Sequence, residues 1–407
     1  MSDDTSGFGD VTRLGALRET LRAAVDPIHR TDTVALSAAE GRVLAEAVTA
    51  RRAVPHYDRA AMDGYAVHAG DTFDASDRSP VTLDAREADA DGPLPEGSAQ
   101  WVHTGSPLPE GADAVVKVEA TTEMGGVVDI ETAVPEGENV GPVGEDVAAD
   151  ATLFEAGHRL RATDLGLLKA TGVRQVTAYQ RPSVGVVPTG EELVQRDPDP
   201  GEIIETNGLT VSRLVERWGG AATYRNVVPD DRAALRSALQ RDLTKDVIVT
   251  TGGSSVGKRD LVADVVEDLG EVLVHGVAIK PGHPVGVGVI EDRPMVMLPG
   301  YPVSCIVGAV QILRPLLKHR GRLPEPPHPT TEARLDRKVA SEVGVRTFAR
   351  VALRESEDGP VAEPTRVGGA SVLSSVARAD GWVVIPEDRE GVPAGETVAV
   401  ENWEYDG

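Results

Sequence analysis

The stretch VIVTTGGSSVGKRD, residues 247–260, decides the fold: an apolar strand-like run ends in Gly252–Gly253, and Ser254, Ser255, Gly257, Lys258 and a helical pattern follow. Glycines free the backbone to turn N–H groups toward an anion, and a helix N-terminus adds a favourable dipole. The segment therefore reads as a phosphate cradle at a strand-to-helix turn. It approaches the template G-x-x-x-x-G-K followed by Ser or Thr. The last position is Arg259, so the hydroxyl that would ligand magnesium in that template is absent, and Asp260 follows instead. An acid beside a phosphate cradle suits a divalent cation that bridges the two.

The flanking sequence continues the alternation. SVGVVPT, NGLTVSRLVERWG, TYRNVV, DDRAALRSALQRDL, DVIVTTGG and DLVADVVEDLG, all within 183–270, read as strands alternating with amphipathic helices. Such alternation predicts βαβ crossovers and a mostly parallel, doubly wound sheet, with ligands beyond the carboxyl ends of its strands. Downstream, AIKPGHPVGVGV (278–289) and VMLPGYPVSCIVG (296–308) each carry a proline–glycine turn after an apolar run. These turns place Lys280 at a strand end, where a cation can meet an anion, and Ser304 where it can cap the following helix. Glu192, in PTGEEL, falls near the same face. Asp230 and Asp231 open a helix, where acids are ordinarily dipole partners.

Outside this region the character changes. Residues 11–25 place Leu14, Leu17, Leu21 and Val25 at helical spacing, and SAAEGRVLAEAV from Ser37 carries capping-box spacing to Glu40, which predicts a second short helix. From about 50 to 150, Gly, Pro, Asp and Thr with short alternating runs predict a β-rich unit with many turns. Its candidate chemical residues are Asp58 and Asp63 in HYDRAAMDGYAV, Thr104 in WVHTGSPLPEGADAVV, and Glu145 and Asp146 in GENVGPVGEDV. By spacing alone these are turn residues. GRLPEPPHPT (321–330) is a proline-rich linker, and the alternating stretches beyond it predict a small all-β terminal domain.

Composition sets bounds on function. The 407 residues predict two to four domains, and 41 basic against 65 acidic residues leave a charge of −24. Such a field disfavours nucleic acid and anionic membrane as partners. Acids spread along the chain, with arginine favoured over lysine, match a surface that stays hydrated in concentrated salt, the halophile pattern. Cys305 is the only cysteine, so neither an intrachain disulfide nor a cysteine-rich zinc site can form, and it is expected in the core. With no secretory signal and no membrane-length apolar run, a cytoplasmic location is expected.

Taken in order, AAMDGYA, HTGSPLPEGADAVV, GEDV, PTGEEL, ETN, TTGGSSVGKRD, AIKPGHP and LPGYPVS resemble the molybdopterin molybdenumtransferase family, MoeA and the E domain of gephyrin. GGASVLSSVARADGWVVIPED (368–388) resembles that family's terminal β-domain, so the likeness runs nearly the whole chain. It implies an α/β multidomain fold: an elongated linker domain of 1–48 and 140–178, an inserted β-rich domain of 49–139, a MoaB/Mog-like α/β domain of 179–325, and a small barrel-like β domain of 326–407. It implies a homodimer whose cleft lies between the third domain of one subunit and the β-rich domain of the other. Asp63, Asp146, Asp230, Asp260, Glu192 and Lys280 would be catalytic, with Asp230, Asp260 and Glu192 holding the metal. Thr104, Gly252, Gly253, Ser254, Ser255, Gly257, Lys258, His283, Pro299, Pro302 and Ser304 would bind the pterin substrate.

The implied reaction takes adenylylated molybdopterin and molybdate or tungstate, with Mg2+, and releases AMP and the molybdenum cofactor. Implied partners are the molybdopterin adenylyltransferase and molybdoenzyme apoproteins, and the resemblance with the acidic composition implies a halophilic archaeal source. Three positions depart from the family: His283 replaces lysine, Tyr301 replaces asparagine, and Gly141–Pro142 replace arginines, all reducing or altering the charge available to an anion. Alternatives are a molybdopterin adenylyltransferase, a P-loop NTPase that Arg259 argues against, and a pterin-binding scaffold without turnover. The carboxylates favour an enzyme over a scaffold.

Overall fold

The computed structural model describes residues 11–253, 260–365 and 370–405. They fall into two compact units, one made of residues up to 32 together with 179 onward, the other of residues 33–178.

The first unit opens with helix α1, Leu14–Ala23, which buries Leu14, Leu17 and Leu21 along one stripe. The resemblance implies that residues 1–48 group with 140–178. In the structure α1 lies in the first compact unit, sharing a core with Leu313, Leu316 and Leu317. A leucine stripe is stable only against another apolar face, and the apolar residues of 302–317 supply one. Arg18 on its flank donates from Nε to the Gln311 carbonyl and from its terminal nitrogen to Gln311 Oε1, both at 2.8 Å.

The expected strand–helix alternation then forms. It comprises β1 (Ser183–Pro188), α2 (Asn207–Arg217), β2 (Ala221–Tyr224), α3 (Arg232–Asp242), β3 (Val247–Thr251), α4 (Leu261–Leu269), β4 (Glu271–His275), the short β5 (Ile279–Lys280), β6 (Gly286–Ile290) and β7 (Arg293–Leu298). One six-stranded sheet runs β2-β1-β3-β7-β6-β4. Its β2–β1, β1–β3 and β3–β7 pairings are parallel, while β7–β6 and β6–β4 are antiparallel. Strands β1 and β3 are largely apolar and, Ser183 aside, buried, because helices cover both faces.

At the end opposite the ligand side, Asp246 locks the start of β3 to the start of β1. Its side chain is 3% exposed and receives Arg30 at 2.7 Å and the Ser183 N–H and hydroxyl at 2.9 and 2.7 Å. Burial pushes its pKa up, but the Arg30 guanidinium and the Ser183 donors outweigh this and hold it below the ordinary 3.8. A depressed carboxyl contributes stability above its unfolded pKa and loses it as pH falls through the folded value. Asp246→Asn should therefore lower the melting temperature at neutral pH and flatten its decline on the acid side of about pH 4. A melting series from pH 2 to 7 on both proteins checks this, and parallel curves would refute it.

Past β7 come α5 (Pro302–Gly308), a π-helical turn at Ala309–Leu313 and α6 (Arg314–Arg320). Tyr301 is the N-cap residue of α5 and Ser304 is buried inside its first turns, so the capping role expected for Ser304 is not realised. Pro302 fixes the first turn one residue earlier. The terminal strands β8 (Thr330–Leu335), β9 (Arg346–Arg354), β10 (Val361–Pro364), β11 (Gly381–Ile385) and β12 (Thr397–Glu401) close a five-strand barrel in the order β9-β10-β8-β12-β11, with β11 returning to β9. Closure removes the exposed edges that so small a sheet would otherwise carry. Strand β5 adds to this barrel in parallel, Ile279 opposite Arg346 and Lys280 opposite Thr347.

In the second unit, strands within 64–130 form a six-stranded sheet around Tyr65, Leu83, Val116, Val128 and Ile130. A separate core gathers Val34, Leu44, Leu160, Leu168 and Val176. The helix expected from Ser37 does not form; only a 3-10 turn, Leu36–Ala38, is present. Gly41 takes a φ of 73°, which stops a right-handed helix, and Val43 and Leu44 bridge to Arg159 and Ala178 instead. The apolar spacing after Ser37 is satisfied by extended pairing. Among the described residues no helix is long and apolar enough to cross a membrane.

Candidate active site

The carboxyl ends of β1 and β3, the loops after β5 and β7, and one wall of the barrel enclose a cavity of about 1260 Å³. All of it lies within the first unit. Its floor is Gly252–Gly253. Gly252 takes a φ of 104°, and a Cβ there would lie 2.2 Å from the Thr189 carbonyl oxygen; at Gly253, with φ 71°, it would lie 2.5 Å from a Val262 methyl. Only glycine allows the backbone to pass so close to β1 and α4. Ser254, Ser255, Gly257 and Lys258 lie outside the described residues.

Glu192 and Asp230 line one side of the cavity. Burial, then the charges of Glu192 and Glu191, raise the Asp230 pKa above its ordinary value. Asp260, expected with them as a metal ligand, is engaged elsewhere. Its Oδ1 accepts from the Val262 and Ala263 N–H groups at 3.1 Å as the cap of α4, and its Oδ2 lies 2.9 Å from His275 Nε2. Among the described residues no cluster of three or more His, Cys, Asp or Glu side chains is arranged to hold a metal. Helix capping supplies Asp260 with two backbone donors at once, and that local demand holds it. The Glu192–Asp230 pair by itself still suits magnesium, which typically takes one or two carboxylates and fills its shell with water and phosphate oxygens.

The loops after β5 and β7 also line the cavity. Lys280 and His283 line it from the loop after β5, and Pro299, Pro302 and Ser304 line the loop between β7 and α5. Lys280 Nζ donates to Glu342 Oε1 at 2.5 Å. Burial lowers the His283 pKa, partly offset by Glu342, so the imidazole is neutral at pH 7 and adds no charge where lysine would. Tyr301 stands 62% exposed at the rim.

Sequence reasoning missed several walls of this cavity. Asn207, at the start of α2, donates from Nδ2 to the Gly300 carbonyl at 2.7 Å and steadies the Pro299–Pro302 loop. Buried Glu205 accepts from the Gly208 N–H at 2.6 Å and from the Tyr224 hydroxyl. The barrel contributes Thr347, Phe348, Arg350 and Ser371. Glu205 and Asn207 stood in the quoted ETN segment, whose place at a helix start was the available signal; nothing in the spacing of Thr347 or Arg350 pointed to a cavity. Burial pushes the Cys305 thiol well above its usual range, which keeps it an unreactive core residue.

In the second unit, Asp63 and Thr104 meet. Asp63 Oδ1 accepts the Thr104 N–H at 2.6 Å and its hydroxyl at 2.9 Å, and these bonds lower the Asp63 pKa. Asp146 is exposed, its N–H bonded to the Val54 carbonyl. Where Gly141 stands, a Cβ would meet Glu145 Oε2 at 2.8 Å and Arg59 Nε at 3.1 Å. Arg59 thus supplies a guanidinium beside the position that lacks one, paired with Glu145 at 3.3 Å.

Three family models match the chain in succession: the MoeA N-terminal region (domain I and II) over residues 13–172, the "Probable molybdopterin binding domain" over 185–319, and the MoeA C-terminal region (domain IV) over 332–403. The chain is 33% identical over 391 residues to a molybdopterin molybdenumtransferase of Haemophilus influenzae, covering 92% of this chain and 95% of that one. It is 36% identical over 385 residues to molybdopterin molybdenumtransferase 2 of Mycobacterium tuberculosis, covering 90% and 94%. A solved molybdopterin biosynthesis MoeA protein from a Pyrococcus species superposes with a TM-score of 0.82 at 34% identity, covering 97% of this chain and all of that one.

Proposed function

Since the chain belongs to the MoeA family, we propose that it inserts molybdate or tungstate into adenylylated molybdopterin, releasing AMP and forming the molybdenum cofactor. The observation that carries this is the cavity, which gathers Glu192, Asp230, Gly252, Gly253, Lys280 and His283 from distant segments and so lines one space with acids, a cation and a glycine turn. A nucleotide-linked pterin carries phosphate groups, and in a chain of −24 net charge it needs local donors to stay bound. Backbone at Gly252–Gly253 approaches the phosphates, Lys280 meets their charge, and the Pro299–Pro302 loop shapes the wall around the ring system. Glu192 and Asp230 would hold the magnesium ion, which when bound supplies Lewis-acid stabilisation of charge on phosphate oxygens. Cleavage of the adenylate then depends mainly on positioning and on charge placed in advance.

The proposal extends to a homodimer, to Asp63, Thr104 and Asp146 of the second unit as participants in the same reaction, and to a cytoplasmic setting. There the chain would receive its substrate from a molybdopterin adenylyltransferase and pass its product to molybdoenzyme apoproteins. The acidic surface supports operation in high salt.

The test is AMP release from adenylylated molybdopterin in high salt with magnesium, comparing molybdate, tungstate and no oxyanion. Oxyanion-dependent release is expected, with the faster oxyanion identifying the preferred metal. Tight substrate binding without release would replace the enzyme by a pterin carrier, and synthesis of the adenylylated pterin from ATP would replace it by an adenylyltransferase.

A further inference from the structure

The wall that carries Lys280 also carries its own anion. Strand β5 is joined to the barrel by pairing with β9, and the Arg346 N–H donates to the Ala278 carbonyl at 2.9 Å. This ladder holds the 340–346 segment of the barrel beside the loop after β5, so Glu342 is brought to Lys280 by backbone. Its Oε1 accepts from Lys280 Nζ at 2.5 Å, and its charge also reaches His283. Lys280 and His283 both face the cavity. The Glu342 side chain is 67% exposed, so its carboxylate is free to turn to solvent when the ion pair opens.

We propose that Glu342 sets the anion-binding threshold of the cavity, as a resident carboxylate that occupies Lys280 until an anionic ligand displaces it. The inference rests on the proposed phosphate-bearing substrate for the identity of the ligand, and on the Lys280–Glu342 geometry for the exchange itself. A bound phosphate takes over the bond from Lys280 Nζ, and the released carboxylate turns to solvent. An exposed ion pair is weak, so the exchange is easy for a ligand with several anionic oxygens and unrewarding for a singly charged one. Displacing the carboxylate costs every ligand that takes Lys280 the same free energy, so it raises a threshold: a weak anion falls below useful affinity, while a polyanion that engages the glycine floor as well as Lys280 stays above it.

The test is calorimetric binding of inorganic pyrophosphate and of inorganic phosphate, without divalent cations, to the full-length protein and its Glu342→Gln, Lys280→Ala and doubly substituted forms. Glu342→Gln should bind pyrophosphate about fivefold more tightly, the factor that one unit charge within ~4 Å is worth in a water-like medium. Phosphate should gain by about the same factor, because each ligand displaces the same carboxylate. The gain should vanish in the Lys280→Ala background and shrink as salt is raised. Unchanged or weaker binding by Glu342→Gln, or a gain that persists without Lys280, would overturn the inference. Neither measurement uses pterin or oxyanion, so failure of the metal-insertion reading shows up separately in the AMP assay.

Discussion

Asp230→Asn should reduce oxyanion-dependent AMP release by at least ~10-fold, since losing a ligating carboxylate costs no less than losing an outer-shell partner, which is ~10–100-fold. The same substitution should leave the melting temperature unchanged or raise it. Asp230 sits at the start of a helix beside Glu192 and Glu191, and both burial and these charges disfavour its ionised form. An amide of the same shape relieves that repulsion while keeping the packing. A residue that weakens the fold yet is required for turnover is held for its chemistry. Steady-state AMP release paired with thermal melting, and manganese binding followed by electron paramagnetic resonance as a readout free of turnover, check both halves. Wild-type turnover or undiminished ion binding would remove Asp230 from the site. Asp260→Asn offers the contrast: asparagine caps a helix as well as aspartate, so ion binding should survive there.

Gly252→Ala should be among the most damaging small substitutions in the chain. A Cβ at this position would lie 2.2 Å from a backbone oxygen, and φ is 104°, so strain and overpacking combine. Each costs about 1–3 kcal/mol, giving roughly 2–6 kcal/mol in total. Gly157→Ala is the control, with φ 88° and no atom within 4 Å of the added carbon. It should cost only about 1–2 kcal/mol. Urea unfolding of both variants measures the difference, and pyrophosphate binding should be lost in Gly252→Ala alone. Equal destabilisation would mean that conformation, and not the approach to Thr189, is what glycine provides at the cavity floor.

How legible the site was depended on how local its determinants are. Strands β1 and β3 and helices α2, α3 and α4 follow from periodicity, because a buried parallel strand and an amphipathic helix leave their pattern in consecutive residues. The spacing from Ser37 carried the same helical signal and failed. Gly41 at positive φ and the bridges of Val43 and Leu44 drew that stretch into extended pairing, a tertiary demand that outweighed local preference. Asp260 was legible as an acid beside the cradle, but capping α4 and meeting His275 depend on where β4 ends in space.

By itself the sequence determined the alternating α/β core, the all-β ending, the glycine floor of the cavity and the acidic character of the surface. Each is written in neighbouring residues or in composition. Tertiary structure alone decided that α1 packs beside Leu316, that Ser304 is buried in α5 and caps nothing, and that Arg350 and Ser371 of the barrel line the same cavity as Gly252. It also decided that Lys280 meets Glu342, sixty-two positions away. Backbone preference acts over a few residues, whereas burial and ion pairing act across whatever distance the fold closes, and no spacing in the chain records which partners that closure will bring together.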